Sequence, residues 1–210
     1  MSNHYDIVTD TWLPTIWLIR DTFTSDTGAQ SRGVPNYLRG LSYDFAGTGA
    51  WYAGKKDNIV VGHFHDGDDP TFETSVRAVV GPLDLTQENP REIETPNALG
   101  KLQRIDIDNH AMPAHLVYGP LGTKIFLPMQ ANNRLIVLDG QTGGELARVD
   151  TGLAPDGVAV DPATRRIFIK NLMSRSVTVV DGSALIDTGA RDLGPERILA
   201  QIASVDDEAL

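Results

Sequence analysis

The chain has 210 residues, 41% of them apolar and 22% charged, a composition that supports a substantial buried core in one domain or two small ones. Its 28 acidic against 18 basic residues leave a formal charge of −10, a field that opposes nucleic acid and anionic membrane and favours cations or basic partners. Cysteine is absent, which excludes disulfides, thiolate zinc sites, thiol nucleophiles and C-x-x-C-H haem attachment within this stretch.

The first residues show no basic region followed by an apolar run, and no segment approaches 18 consecutive apolar residues, so neither a secretion signal nor a membrane span is expected here. Residues 6–18 read as a late strand and an outer strand of a unit whose beginning lies outside the stretch, and the polar run 21–33 as a crossing to the next unit. Leu41-Ser-Tyr43, Gly47-Thr48 and Asp57-Asn58 belong to that unit and find counterparts further along the chain. Residues 62–75 are rich in turn formers, strand residues resume at 76–85, and a second excursion at 86–100 holds Pro90 and Pro96. Both excursions are expected as long loops on one face, where such folds place their binding surface. An outer strand follows at 102–106, with an exit at 106–113. Further on, a strand at 145–149 is entered through the Gly140-Gln-Thr-Gly-Gly144 turn and leaves through 150–155. Gly157-Val-Ala-Val-Asp161, Arg166-Ile-Phe-Ile-Lys170 and Ser176-Val-Thr-Val-Val-Asp181 alternate with period 2 and predict three strands, and 198–202 a last outer one.

Two of these stretches, 112–139 and 154–181, superpose at a fixed offset of 42 residues. Pro113 falls on Pro155, Ile125-Phe126 on Ile167-Phe168, and Leu135-Ile-Val-Leu-Asp139 on Val177-Thr-Val-Val-Asp181. A third copy matches at an offset of 75, Leu41 on Leu116, Gly47 on Gly122 and Asp57 on Asn132, the extra length being an insertion. A period near 40 built from short apolar strands is the signature of a β-propeller blade. The expected fold is therefore all-β, a partial propeller of four-stranded antiparallel blades, about three with a partial one in front. The expected division is a partial blade and connection at 1–33, blades at 34–107, 108–150 and 151–205, and an exit linker at 206–210. An arc of three blades is expected to expose an apolar face at both flanks, so the chain reads as a piece of a longer protein.

Chemistry-bearing residues are few. His63-Phe-His65 with Asp66 and Asp68 has metal-ligand character, since His at i and i+2 on an extended segment point to one side. A solvated Gly- and Asp-rich loop tip is the plainer reading, and the spacing of a calcium loop is missing. Asp139 and Asp181 recur at strand ends, where a carboxylate accepts hydrogen bonds from the backbone of the following turn; Asn58, Asn133 and Asn171 suit turn positions with left-handed backbone. Lys55, Lys56, Arg134 and Arg175 are expected to line one face and meet acidic groups of a partner, against the alternative of solvated rim charges. Trp12, Trp17 and Trp51 are expected to fill space between blades; an aromatic sugar platform is the sharper alternative.

The phrase Ala154-Pro-Asp-Gly-Val-Ala-Val-Asp-Pro-Ala-Thr-Arg-Arg-Ile-Phe-Ile-Lys-Asn171 with 176–181 resembles the YVTN-type bacterial propeller repeat over two units and part of a third. Gly33-Val-Pro-Asn-Tyr-Leu38, Lys55-Lys-Asp-Asn58, Asp106-Ile-Asp-Asn109, Asn132-Asn-Arg134 and Asn171-Leu-Met-Ser-Arg-Ser-Val177 resemble, more narrowly, the propeller region that precedes a di-haem cytochrome c peroxidase-like module in large exported bacterial proteins. That resemblance implies a non-catalytic scaffold or docking domain, with no catalytic residue and no cofactor in this stretch, and haem c with electron transfer in the parent. The implied partners are a haem domain of the same parent chain or a redox protein, with no nucleic acid and no membrane span, in the periplasm or outside the cell. Two alternatives stay open: a YVTN-type surface or adhesion module that binds protein or glycan, and a metal-dependent lactonase-like hydrolase, for which a ring of inward ligands is not apparent.

Overall fold

A computed structural model of the protein describes residues 15–44, 46–58, 75–94, 103–108, 111–119 and 123–183, together with the backbone of strands at 4–6, 11–13 and 197–203. Every named strand pairing is antiparallel. A short hairpin, β1 (His4–Asp6) with β2 (Thr11–Leu13), precedes three larger sheets. The first holds β3 (Val34–Tyr43), β4 (Gly49–Asp57), β5 (Val76–Asp84) and β6 (Arg91–Glu92) in that order, with β7 (Ile105–Asp106) also on β5. The second runs through β8 (Val117–Tyr118), β9 (Lys124–Met129), β10 (Arg134–Asp139) and β11 (Glu145–Asp150). The third runs through β12 (Pro155–Asp161), β13 (Arg166–Asn171), β14 (Ser176–Asp181) and β15 (Arg197–Ala203). Each sheet is a meander in chain order, the plan of a propeller blade.

The repeat in sequence is a repeat in pairing. Val117 faces Phe126 and Ala159 faces Phe168; Pro113 bridges Met129 and Pro155 pairs with Asn171, each couple displaced by 42 residues. From blade one to blade two the offset is 75 between Gly49 and Lys124 but 58 between Val76 and Arg134, so about half of the extra length of blade one enters between β4 and β5 and the rest after β5.

Alternate residues of the strands serve opposite neighbours. Ile125, Leu127 and Met129 of β9 pack with Trp51, Ala53, Ala78 and Val80 of blade one, whereas Phe126 joins Leu135 and Val137 against Ile167, Ile169 and Val180 of blade three. A strand buried on both faces needs apolar side chains at nearly every position, which is why β9 reads as a continuous apolar run and not as an alternating one. Truncating one of these side chains to Ala costs about 2–5 kcal/mol.

The other face of blade one departs from expectation. Residues 6–18 were expected as two strands of a preceding blade, of which the β1–β2 hairpin supplies a short pair ending at Leu13, and the flank beyond as bare. Instead, Ile16 and Leu18 lie outside any strand and cover Ala50, Tyr52, Val79 and Leu83, and the crossing at 21–33 is tied down by a bridge between Asp21 and Gly33. On blade three, Phe168 and Val177 are half-buried.

The two excursions of blade one leave from opposite ends of β5. The first closes at its base, where Asn58 N–H donates to the Ser75 carbonyl at 2.8 Å just before β5 begins; the second departs after Asp84, where β5 ends. A strand of nine residues separates those points by about 30 Å, because each residue advances roughly 3.3 Å.

Strand-end carboxylates behave as expected. Asp139 accepts from the N–H groups of Gln141 and Thr142, and Asp181 from that of Ser183. Asp44, Asp84 and Asp161 repeat the device with Thr48, Thr86 and Thr164, an Asx-type turn closed by a following Thr. Left-handed backbone is taken in these turns by Asn133 (φ 55°) and, 42 residues on, Arg175 (φ 48°), and also by Ala154 and Arg165 (both φ 54°). Asn58 and Asn171 do not take it: Asn171 is buried at the end of β13, its Nδ2 donating to Ser176 and Thr178, and Asn58 donates from Nδ2 to Asp26.

Candidate functional site

His63, His65, Asp66 and Asp68, the expected metal ligands, lie outside the described residues, and among the described residues no three His, Asp or Glu side chains converge to hold a metal. The four cations divide. Lys55, Arg134 and Arg175 stand at one end of the blades, where β4, β9 and β13 turn toward the strands that follow them. Arg134 reaches the exposed Asp150 carboxylate at 3.1 Å.

Lys56 is a correction. Only 1% exposed, it sits on the face of β4 shared with Tyr52 and cannot meet a partner. Its ammonium lies 2.6 Å from the Asp106 carboxylate and also donates to the Ser31 carbonyl. Arg77 donates to the carbonyls of Gly28 and Ala29, and Ser31 N–H to Asp106 at 2.7 Å. These bonds pin the crossing segment to blade one. Lys55 and Lys56 are indistinguishable by composition; both faces of β4 are covered, Lys55 on the face of Trp51 and Ala53 being half-buried near the strand end while Lys56 on the face of Tyr52 is fully interior.

A second buried pair escaped sequence reasoning. Glu92 on β6 receives Arg104 through two N–H groups, the Tyr52 hydroxyl at 2.7 Å and Ile19 N–H at 2.7 Å. Burial, with the charge and hydrogen bond of Glu92 and against the opposing pull of Arg104, leaves the Tyr52 hydroxyl well above its ordinary pKa. No motif announces such a cluster, because its members are 12 to 73 residues apart. Its role is to anchor residues 16–19.

The inner strand β3 carries the contact that unites the blades. Arg39 donates from Nη1 to Gln130 at 2.7 Å and from Nη2 to Asp156 at 2.8 Å, and Lys170 reaches the other Asp156 oxygen at 3.1 Å. One side chain of blade one thus holds a turn of blade two and the entry strand of blade three. Around this relay are apolar side chains that face water: Tyr37, Leu38, Leu153, Leu172 and Met173, the last 73% exposed. Tyr37 adopts φ 45° inside a register shift between Asn36 and Gly40, so the bulge pushes Tyr37 and Leu38 off the sheet. Leu172 and Met173 occupy the β13–β14 turn and bond back to the backbone of Ala154 and Leu153.

The tryptophans also divide. Trp51 fills the space between blades one and two and donates from Nε1 to the Gly140 carbonyl, as expected. Trp17, expected between blades, is 67% exposed; Trp12 lies in β2, described by backbone only.

Three consecutive four-stranded meanders, packed face to face and repeating in register, define the chain as a β-propeller domain. No protein-family model matches it, and neither does any curated protein. Among solved structures, hydrazine synthase of Kuenenia stuttgartiensis is similar at 14% identity and a TM-score of 0.53, covering 87% of this chain and 64% of that one. The Cps50 (Swd1) beta-propeller domain of Myceliophteria thermophila aligns at 12% identity and a TM-score of 0.48, over 95% and 64% of the two chains. The periplasmic gluconolactonase of Pseudomonas aeruginosa aligns at 12% and 0.39, over 97% and 64%. The chain thus spans about 64% of the length of each, and at this identity the first likeness is one of fold.

Proposed function

We propose that this domain is a non-catalytic docking scaffold, and that its partner is the haem domain of an exported di-haem cytochrome c peroxidase-like protein. The observation that carries the reading is the gathering of exposed Tyr37, Leu38, Leu153, Leu172 and Met173 at one end of three blades, around the Arg39–Asp156 relay. Apolar side chains ringed by polar groups mark protein contact surfaces, since leaving them in water has a standing cost that a partner removes. Lys55, Arg134 and Arg175 stand at the same end as an acidic partner would require. The choice of partner rests on the phrases at Gly33-Val-Pro-Asn-Tyr-Leu38 and Asn171-Leu-Met-Ser-Arg-Ser-Val177, which resemble that family's propeller region. The mechanism is positional: a stiff stack of sheets holds the partner in one orientation.

Two experiments test it. Reading the gene beyond Leu210 should reveal two C-x-x-C-H motifs; their absence removes the peroxidase association. Met173→Asp with Arg175→Glu should weaken binding of the haem domain by about tenfold or more while leaving the fold intact, as interface hot spots do. Unchanged affinity rejects this end as the docking surface. Binding of a cell-surface protein at the same end, with no haem module in the gene, would favour the adhesion alternative.

A further inference from the structure

We propose that the groove between Trp17 and the turn at 87–91 binds a neutral hexopyranose sugar. The groove is an open cleft of about 530 Å³ lined by Thr15, Trp17 and the turn residues Gln87, Glu88, Asn89, Pro90 and Arg91. Its volume falls in the range of roughly 300–1,000 Å³ usual for small-ligand clefts.

Trp17 is held out deliberately. Its neighbours Ile16 and Leu18 turn inward onto blade one, so in this extended segment the intervening indole points to solvent. The mount is rigid, because Ile19 N–H is bonded to Glu92, which Arg104 and Tyr52 hold in the interior. The opposite wall is equally fixed: Thr86 closes on Asp84 through its N–H and hydroxyl, and β6 pairs Glu92 with Leu83. Both walls are therefore organised before a ligand arrives, which lowers the ordering cost of binding.

The chemistry is that of a sugar site. A pyranose presents one face of slightly positive C–H groups, which stacks on the negative face of an indole. Its hydroxyls project around the ring edge, each a donor and an acceptor, and are matched by planar amide, carboxylate and guanidinium groups. Gln87, Glu88, Asn89 and Arg91 supply all three kinds on one turn. Among the described residues Glu88 and Asn89 make no hydrogen bond within the protein, and Thr15 Oγ1, buried at the same groove, lacks a partner. Glu88 and Arg91 offset each other in charge, which suits a neutral sugar over an acidic one.

The test is calorimetric titration of the full chain with tetrasaccharides of glucose, mannose, galactose and N-acetylglucosamine. At least one should bind saturably, with Trp17→Ala weakening it about tenfold or more, Trp17→Phe retaining most of the affinity and Asn89→Ala intermediate. Trp17 is exposed, so its truncation should leave the urea midpoint in place; were Trp17→Ala to misfold, Asn89→Ala and Glu88→Gln read the same loss. The proposal is overturned if no tetrasaccharide gives saturable heat, or if affinity is indifferent to all these changes. It is equally overturned if the sole effect of Trp17→Ala is to abolish self-association of the chain.

Discussion

The Lys56 ammonium and the Asp106 carboxylate, 50 residues apart in the chain, meet 2.6 Å from each other in the interior of blade one. The pair joins β4 to β7 across the sheet, and through Ser31 it also fastens the crossing segment. Removing Lys56 leaves the buried Asp106 with only the Arg77 guanidinium, 3.7 Å away, to offset it, so Lys56→Ala should cost about 3 kcal/mol in urea unfolding. Lys55→Ala, one residue earlier and half-buried near the end of β4, should cost less, about 1 kcal/mol. Equal effects would mean that the pair is not buried as described.

Gly143 and Gly47 share φ 68° yet differ in surroundings. A Cβ at Gly143 would overlap Ile105 Cδ1 and approach Trp51 Cη2 to 2.6 Å, whereas one at Gly47 meets nothing within 4 Å. Gly47→Ala should therefore show backbone strain alone, about 1–2 kcal/mol. Gly143→Ala should add an overpacking cost of roughly 1–3 kcal/mol, because the β10–β11 turn can no longer seat on blade one. The difference between the two midpoints, read by thermal melting, isolates that contact.

Asp21 carries a pH dependence. Burial raises its carboxyl pKa, but the Thr24 hydroxyl, the N–H groups of Thr24 and Phe23, and the charge of Lys56 together outweigh this and hold it below the ordinary 3.8. A carboxyl held low in the folded state stabilises the fold above its unfolded pKa, and the contribution disappears as pH falls through the folded value. Stability measured in urea should thus drop below about pH 4, and Asp21→Asn should flatten that part of the acid limb. An acid limb identical in the variant sinks the assignment.

The alkaline side is set by two phenols. Burial first, then Asp44, pushes the Tyr118 hydroxyl up to about 12, and burial likewise lifts Tyr52. A group raised in the fold stabilises fully below its unfolded pKa and ceases to do so as pH climbs through the folded one, so the loss starts near pH 10. In an ultraviolet titration of the native protein, Tyr52→Phe should remove a phenol from the last part of the curve. Loss of amplitude near pH 10 instead would show Tyr52 to be accessible.

The blade pattern was legible because it is local. Period-2 alternation placed β13 and β14 within a residue of their ends, and the 42-residue offset carried through to paired positions such as Phe126 and Phe168. The Asp-closed turns were legible for the same reason, since carboxylate and amide are two or three residues apart. The departure of the two excursions from opposite ends of β5 was misread as a shared face, although loops before and after one strand leave from its two ends.

What only the tertiary structure decided depends on partners distant in sequence. Nothing in Lys55-Lys56 says which ammonium is buried until β4 is given a neighbour on each face. Nothing in residues 6–18 says that Ile16 and Leu18 cover blade one without joining a sheet, leaving Trp17 in water. Arg39 looks like any strand cation until Gln130 and Asp156, 91 and 117 residues away, come within hydrogen-bond reach. Strand periodicity is a property of a few adjacent residues, whereas burial, charge pairing and grooves are properties of the packed whole.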